Sequence, residues 1–208
     1  MNNKGILIVF SGPSGCGKGT VLSEFLKDRK NVFVSVSATT RSPRPGEVDG
    51  KHYYFLTKED FEKKISQNGM LEYANYCGNY YGTPKKEVFD RLENGYDVIL
   101  EIEVNGAKQI KEKCENAVLI FVAPPSIKEL NARLSGRNTE DEQTIKNRIR
   151  AAFDELKCAC DYDYIIVNDE VKAAAGRLEN IIEASRYNKI NMKEYVNDVL
   201  NAAQAEIQ

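Results

Sequence analysis

A glycine-rich segment that follows a short apolar run constrains the fold of this chain more than any other feature of its sequence. The run, Ile6 to Phe10, is continuous and short, which is typical of a strand buried on both faces of a parallel sheet. Residues 21–26, beyond the segment, carry apolar side chains at helical spacing. The first thirty residues therefore predict a strand, a glycine loop and a helix.

The loop itself consists of Gly12, Pro13, Ser14, Gly15, Cys16, Gly17, Lys18, Gly19 and Thr20. Its glycines allow tight turns that point successive backbone N–H groups at a polyphosphate. The helix N-terminus adds a favourable dipole, and the Lys18 ammonium adds a positive charge near the β/γ bridge. This order of strand, glycine loop, lysine and helix predicts a loop that binds a nucleoside triphosphate. A glycine-rich turn without a ligand is the alternative.

The residue after the loop lysine departs from the usual pattern. Phosphate-binding loops commonly place Ser or Thr there as a ligand of Mg²⁺, whereas this chain has Gly19 followed by Thr20. We therefore expect Mg²⁺ to be held mainly by the triphosphate oxygens and water, with Thr20 as a further candidate ligand.

The composition and net charge of the chain limit the kinds of molecule that it can bind. Hydrophobic residues make up 42% and charged residues 29% of the 208 residues, as in folded globular proteins. The formal net charge of −2 provides no basic field for nucleic acid or an anionic membrane, so we expect neither as a partner. A polyanion must then be bound by a local cluster of Arg and Lys, which favours a small phosphorylated ligand.

Targeting signals and disulfides are not expected. No stretch has the length of a signal-peptide core or the roughly 20 apolar residues of a membrane span. The five cysteines are odd in number and scattered, which favours reduced thiols and a cytoplasmic location. With one histidine, His52, a structural metal site is not expected either.

Apolar strands alternate with helical patterns along the chain. Strands are predicted at residues 6–10, 31–37, 97–103, 117–122 and 164–167, and helices at 18–30, 58–68, 84–93, 106–113 and 171–187. This alternation predicts an α/β fold with a parallel sheet covered by helices on both faces. Residues 39–57 are predicted to form loops or short strands, 126–154 are highly charged and helix-forming, and the tail beyond Asn191 is compatible with a helix.

Two arginines on a proline-stiffened loop suggest a second anion site. Arg41 and Arg44 are three residues apart and can converge on one phosphate as charge-assisted forks. Tyr53 can add a neutral donor. A solvated basic loop is the alternative for the two arginines taken alone.

The run from Ser37 to Phe55 closely resembles the GMP-binding signature of guanylate kinases, T-T-R-x-P-R-x-G-E-x-x-G-x-x-Y. Further matches occur at Leu71-Glu-Tyr, Gly78-Asn-Tyr-Tyr-Gly-Thr83, Leu100-Glu-Ile-Glu103, Arg133-Leu-Ser-Gly-Arg137, Arg148 and Ile166-Val-Asn-Asp169. The resemblance spans residues 5–187, nearly the whole chain, and is more specific than any single motif.

The resemblance implies one domain over residues 1–208 with a P-loop NTPase-like core, a small GMP-binding lobe and a helical lid. The expected core is 1–36, 84–125 and 155–208, the lobe is 37–83 and the lid is 126–154. The implied activity is transfer of the γ-phosphoryl group of ATP to GMP, and also to dGMP, with Mg²⁺. Catalytic roles are implied for Lys18, Arg41, Glu101, Arg137 and Arg148.

The family's binding residues carry over by position. The GMP phosphate would be held by Arg41, Arg44, Tyr53 and Tyr81, and the guanine edge would be read by Ser37, Glu72 and Thr83. A carboxylate at Glu72 suits guanine because N1–H and N2–H₂ are adjacent donors, whereas adenine presents an acceptor at N1. Without the flanking motifs, Glu72 would be interpreted as an acid on the surface.

Acidic and basic residues further along complete the expected site. Glu101 is the candidate for ordering hydrated Mg²⁺ or the attacking phosphate, and Glu103 for a contact to the nucleoside. Asn168 is expected on the adenine side and Arg133 at the ATP site. The lid arginines Arg137 and Arg148 would close over ATP; a solvated helix face is the alternative for this segment.

Two other functions are alternatives to this one. A non-catalytic guanylate-kinase-like module that binds proteins typically lacks the glycine loop and its lysine, and this chain has both. A kinase for a different phosphorylated small molecule would be expected to lose Ser37, Glu72 and Thr83.

Overall fold

The computed structural model describes residues 4–135 and 142–207. In chain order the described residues form β1 (Leu7–Ser11), α1 (Lys18–Phe25), β2 (Val32–Val34), β3 (Ala38–Thr39), β4 (Tyr54–Phe55), α2 (Lys58–Ser66), β5 (Met70–Tyr76), β6 (Asn79–Pro84), α3 (Lys85–Glu93), β7 (Asp97–Glu101), α4 (Val104–Lys113), β8 (Val118–Ala123), α5 (Ile127–Ser135), α6 (Glu142–Lys157), β9 (Tyr164–Val167), α7 (Val171–Ser185) and α8 (Lys193–Ile207).

Five strands form a parallel sheet in the order β2-β7-β1-β8-β9, with β1 at its centre. Alternate residues of β1 point to opposite faces of the sheet. Ile8 and Phe10 pack with α1 and α7 on one face. Leu7 and Val9 pack with α3 and α4 on the other face. Burial on both faces explains the continuous apolar run, and the predicted α/β fold with a covered parallel sheet is confirmed.

A second sheet, in the order β4-β3-β6-β5, is built mainly from antiparallel pairs. Phe61 of α2 packs with Ala38 and Met70 in a small core beneath it. Residues 39–57, predicted to form loops or short strands, contain β4, and residues 70–84 form a hairpin of β5 and β6. Of the four residues expected to bind the second phosphate, Tyr81 lies on β6, and Arg41, Arg44 and Tyr53 lie on the connection between β3 and β4.

Two predicted strands are longer in the sequence pattern than in the structure. The strand expected at 97–103 ends at Glu101, and Glu103 is instead the N-cap of α4. Pairing with β1 ends at Phe10 opposite Glu101, because the chain beyond Ser11 turns into the glycine loop. The strand expected at 31–37 is β2 alone, since the chain leaves the core sheet there and enters the second sheet at Ala38.

Helices α5 and α6 pack on each other through Leu130, Leu134 and Ala152. The C-terminal tail beyond Asn191 forms helix α8, which agrees with its helix-compatible sequence. The described side chains of α8 are exposed along its length. Among the helices of the described residues, none is long and apolar enough to cross a membrane.

Candidate active site

The glycine loop connects the C-terminal end of β1 to the N-terminus of α1. Gly12 has a φ of 145°, and a Cβ there would lie 2.2 Å from the Val122 carbonyl oxygen. Gly17, the N-cap of α1, has a φ of 89°, and a Cβ there would lie 2.4 Å from the Asn168 side-chain nitrogen. Both positions combine left-handed backbone with close neighbours, so the compact loop requires glycine at each.

Lys18 is the first residue of α1, and its ammonium lies over the loop. Its Nζ donates to the carbonyl oxygens of Gly12 at 2.5 Å and Pro13 at 3.3 Å. Glu101 ends the neighbouring strand β7, where it pairs with Phe10 of β1 just before the loop. Burial raises the pKa of the Glu101 carboxyl, and the positive charge of Lys18 partly offsets that rise. The predicted role of Glu101 in ordering hydrated Mg²⁺ or the attacking phosphate stays a prediction.

Asn168 and Arg133 hold the loop from the opposite side. The Asn168 side chain is buried and donates from Nδ2 to the Cys16 carbonyl oxygen at 2.8 Å. Arg133 donates from Nη2 to the Asn168 carbonyl oxygen at 3.0 Å and from Nη1 to that of Cys16 at 3.4 Å. Both residues expected at the ATP site therefore contact the loop through its backbone.

Arg148, on helix α6, also reaches the loop, because its Nη2 donates to the Ser14 hydroxyl at 2.7 Å. Arg137 lies outside the described residues, so its predicted role stays a prediction. Glu155, in the last turn of α6, lies near Lys18, Ser14 and Glu103 and was not predicted from the sequence. Its spacing of seven residues from Arg148 is the signal that could have revealed it, since residues two turns apart share a helix face.

The second cluster of charges lies on the lobe that contains β3, β4 and β6. Arg41 and Glu47 form a bidentate ion pair, with both nitrogen–oxygen distances at 3.0 Å. The guanidinium carbon of Arg41 lies 5.4 Å from the centre of the Tyr53 ring. The Tyr53 and Tyr81 rings meet edge to face at 6.1 Å. Three of the four residues predicted to hold the second phosphate are thus in mutual contact.

Glu47 fixes the geometry of this cluster. It also accepts from the backbone N–H of Arg44 at 2.7 Å, which ties the fourth predicted residue to the other three. Its hydrogen bonds with Arg41 and then with the Arg44 backbone lower the pKa of the Glu47 carboxyl to about 2. The Glu47 carboxylate thus ties the Arg41 guanidinium to the backbone of Arg44.

Glu72 is a buried acid on β5, with 6% of its surface exposed. It lies opposite Thr83 of β6, whose hydroxyl donates to Glu72 Oε1 at 2.6 Å. Burial raises the pKa of the Glu72 carboxyl, while the Thr83 hydrogen bond and the charge of Lys113 lower it. Gly106 of α4 leaves room for the carboxylate, since a Cβ there would lie 2.7 Å from Oε2.

Two predicted residues have weaker contacts at this site. Ser37 is half-buried before β3, and its carbonyl oxygen accepts from the Tyr54 backbone N–H at 2.9 Å. Glu103 is exposed, and its negative charge raises the pKa of both Glu72 and Glu155. The predicted contact of Glu103 to the nucleoside stays a prediction.

Comparison with known proteins agrees with this geometry. The family model described as Guanylate kinase matches residues 4–185. The chain is 54% identical to the guanylate kinase of Latilactobacillus sakei over 88% of this chain and 91% of that protein. It is 50% identical to that of Clostridioides difficile over 98% of each chain.

A solved structure agrees as well. The crystal structure of guanylate kinase from Anaplasma phagocytophilum matches with a TM-score of 0.70 at 34% identity, covering 89% of this chain and 88% of that chain. With a family match over most of its length and half of its residues shared with named relatives, this chain belongs to the guanylate kinase family and is a nucleotide-binding kinase of the P-loop type.

Proposed function

We propose that this protein transfers the γ-phosphoryl group of ATP to GMP, and also to dGMP, giving ADP and GDP or dGDP. The observation that carries the proposal is the buried Glu72–Thr83 pair on the lobe that also bears Arg41, Arg44, Tyr53 and Tyr81. A phosphate cluster beside a buried carboxylate is suited to a monophosphate whose base presents two adjacent donors. The names of the relatives support the same substrate.

Base selection rests on hydrogen bonds that adenine cannot make. A guanine can donate from N1–H and N2–H₂ to the Glu72 carboxylate, whereas adenine N1 is an acceptor and would face it unpaired. Sites built on such bonds discriminate by about 10⁴-fold because the wrong ligand leaves a buried polar group unsatisfied. Ser37 and Thr83 are proposed to add contacts to the same base edge.

Phosphoryl transfer requires in-line placement and neutralisation of charge more than covalent help from the protein. Lys18, Arg41 and Arg148 are proposed to supply positive charge from three sides, with Arg137 added from the lid. Residues 37–83 and 126–154 are proposed to close on the core when both nucleotides are bound. Closure excludes water that would otherwise hydrolyse ATP, and no covalent intermediate is required.

Mg²⁺ is proposed to reach the protein through ATP oxygens and water. Within residues 4–135 and 142–207, no three His, Cys, Asp or Glu side chains lie close enough to ligate a metal directly. Glu101, which ends β7 opposite Phe10 just before the loop, is proposed to orient metal-bound water. When bound, Mg²⁺ would neutralise charge on the triphosphate, and Thr20 is a further candidate contact.

The thiols are consistent with the proposed cytoplasmic location. All five cysteines lie in the described residues and all five are free. Free thiols of this number are typical of reducing compartments.

The test is release of ADP from ATP, measured in a coupled assay with GMP, dGMP, AMP, UMP and CMP as acceptors. We expect turnover with GMP and dGMP and at least about 10³-fold lower kcat/KM with the other three. Lys18→Ala serves as the control that must abolish transfer while leaving the folded spectrum unchanged. Equal turnover with AMP and GMP would contradict the proposal.

A further inference from the structure

Helix α4 gives the edge strand of the second sheet hydrogen bonds that a neighbouring strand would otherwise supply. β5 is the last strand in the order β4-β3-β6-β5, so one of its edges faces no other strand of the described residues. At that edge Tyr73 meets the side-chain amide of Gln109 on α4. Gln109 Oε1 accepts from the Tyr73 backbone N–H at 3.2 Å, and Gln109 Nε2 donates to the Tyr73 carbonyl oxygen at 2.9 Å. The amide thus bonds both backbone groups of one residue, as a residue on an adjacent strand would.

A second side chain of α4 holds the same strand two residues earlier. Lys113 Nζ donates to the Leu71 carbonyl oxygen at 2.6 Å. Leu71 lies in the irregular step between Met70 and Glu72, where the pairing of β5 with β6 shifts register. Bulges of this kind re-aim nearby side chains and are frequent beside active sites. Lys113 therefore contacts the main chain where the direction of the Glu72 side chain is set.

Gly106, Gln109 and Lys113 lie on one face of α4, because they follow one another at intervals of three and four residues. At Gly106 a Cβ would lie 2.7 Å from Glu72 Oε2. Glu72 lies between the two residues whose backbones α4 holds. The helix thus bonds the chain on both sides of this buried acid and meets its carboxylate at a glycine.

Attachment of the strand to the helix does not depend on Gln109. Leu71, Ala107 and Ile110 pack in one buried cluster, so the start of β5 is already anchored on α4. The two Gln109 bonds lie at an exposed part of the edge, where water can satisfy the same backbone groups at little cost. They add a second point of contact on the far side of Glu72, and two points fix the direction of a strand.

We propose that Gln109 is a positioning residue for guanine recognition, which holds the backbone of Tyr73 so that both oxygens of the Glu72 carboxylate face the two donors of the base. This role rests on the proposed transfer to GMP and adds to it a residue that touches no substrate. A misplacement of about 1 Å can cost about 100-fold at such a site. A strand held only at Leu71 can pivot there, and one of the two bonds to guanine is then lost.

Inosine monophosphate (IMP) isolates the second of these bonds. Its base has the N1–H of guanine and lacks the 2-amino group, so it can donate only once to Glu72. In the wild type, GMP should bind about 10- to 100-fold more tightly than IMP, the range for one hydrogen bond to a charged group. A misaligned carboxylate gains little from the second donor, so this ratio reports the alignment of Glu72.

Gln109→Met removes both bonds to Tyr73 and keeps an unbranched side chain with good helix propensity. We expect the affinity for GMP to fall about 10-fold and the affinity for IMP to fall less than about threefold, because IMP makes one bond in either case. The ratio of the two affinities should therefore fall at least about threefold.

Two further variants accompany Gln109→Met. Gln204→Met is the matched control, since it makes the same substitution on the exposed helix α8, outside the second sheet and the glycine loop. Its affinities for GMP and IMP should equal those of the wild type. Gln109→Glu keeps an acceptor for the Tyr73 N–H and loses the donor to the Tyr73 carbonyl, so its ratio should lie between those of the wild type and Gln109→Met.

Calorimetric titration with GMP, and displacement of GMP by IMP, measure both affinities without phosphoryl transfer. If Gln109 only braced the lobe, both affinities would fall by the same factor, and an unchanged ratio would overturn the proposal. Gln109→Glu decides if Gln109→Met does not fold, and a wild-type ratio in Gln109→Glu would likewise overturn it. A wild type that binds GMP no better than IMP would instead contradict the proposed function, so the two failures are distinguishable.

Discussion

Glu72 and Thr83 face each other across the β5–β6 ladder, and the Thr83 hydroxyl donates to the carboxylate at 2.6 Å. Both side chains are buried, so this hydrogen bond is shielded from water. Helix α4 approaches the other carboxylate oxygen at Gly106. The acid is therefore held in one orientation by its strand partner and by the helix beside it, as a base-reading group requires.

Replacement of Glu72 by Gln should remove guanine recognition. The amide has one acceptor and introduces a donor that faces the donors of guanine, so we expect kcat/KM for GMP to fall about 100-fold. Steady-state kinetics with GMP at fixed ATP provide the measurement. A loss of less than threefold would show that the base is read elsewhere.

The same substitution should stabilise the fold in a pH-dependent way. Burial raises the pKa of the Glu72 carboxyl above its ordinary value of 4.5, so the folded state binds the proton more tightly than the unfolded state does. The wild type therefore loses stability as the pH rises from 4.5 through the raised pKa. Melting temperatures of Glu72→Gln and wild type should be nearest at about pH 4 and should diverge in favour of the variant towards pH 7.5. A difference in melting temperature between the variant and the wild type that narrows with rising pH would contradict the raised pKa of Glu72.

Gly106→Ala should impair GMP use without affecting the ATP site. Its Cβ would come within 2.7 Å of Glu72 Oε2, so the carboxylate must shift. We expect the KM for GMP to rise about 10-fold and the KM for ATP to stay within twofold, since small misplacements weaken directed hydrogen bonds.

The matched control for that substitution is Gly176→Ala on helix α7, where no atom lies within 4 Å of the added Cβ. This control should stabilise the protein by about 0.5–1 kcal/mol, the difference in helix propensity between glycine and alanine. An equal KM for GMP in Gly106→Ala and Gly176→Ala would mean that the close approach of α4 to Glu72 has no effect on GMP recognition.

Glu47→Gln should loosen the phosphate cluster. The bidentate pair with Arg41 is lost, so we expect the KM for GMP to rise several-fold, whereas Glu59→Gln on the exposed start of α2 should not change it. Titration of GMP in the coupled assay compares the two. An unchanged KM for GMP in Glu47→Gln would show that Arg41 binds the GMP phosphate without its ion pair to Glu47.

Acid stability offers an independent check on Glu47. Its pKa is lowered from 4.5 to about 2, so its contribution to stability is complete above pH 4.5 and is lost as the pH falls towards 2. The stability advantage of the wild type over Glu47→Gln should shrink across this window. A constant advantage from pH 5 to about 2.5 would contradict the role of the ion pair.

Much of the core could be predicted from the sequence. The apolar run at Ile6 is β1, the strand at Tyr164 has the bounds expected of it, and the loop from Gly12 to Thr20 lies between strand and helix. These elements depend on local patterns, namely apolar runs, helical spacing and glycine, so a single sequence contains the information.

Features that depend on pairing were harder to predict. The β5–β6 register that places Glu72 opposite Thr83 follows a bulge between Met70 and Glu72, which no local pattern reveals. Glu155 is separated from Lys18 by more than a hundred residues, and its charge looks like any other on an amphipathic helix. Its seven-residue spacing from Arg148 is a signal in the sequence, but that spacing does not place α6 against the loop.

The central claim is that two facing anion sites pass one phosphoryl group directly from ATP to GMP. Phosphorus NMR of the protein with ATP, GMP and Mg²⁺ follows every phosphate at once. We predict ADP and GDP appearing in equal amounts, with inorganic phosphate near the level of an enzyme-free control. ADP accompanied by inorganic phosphate instead of GDP would contradict the account.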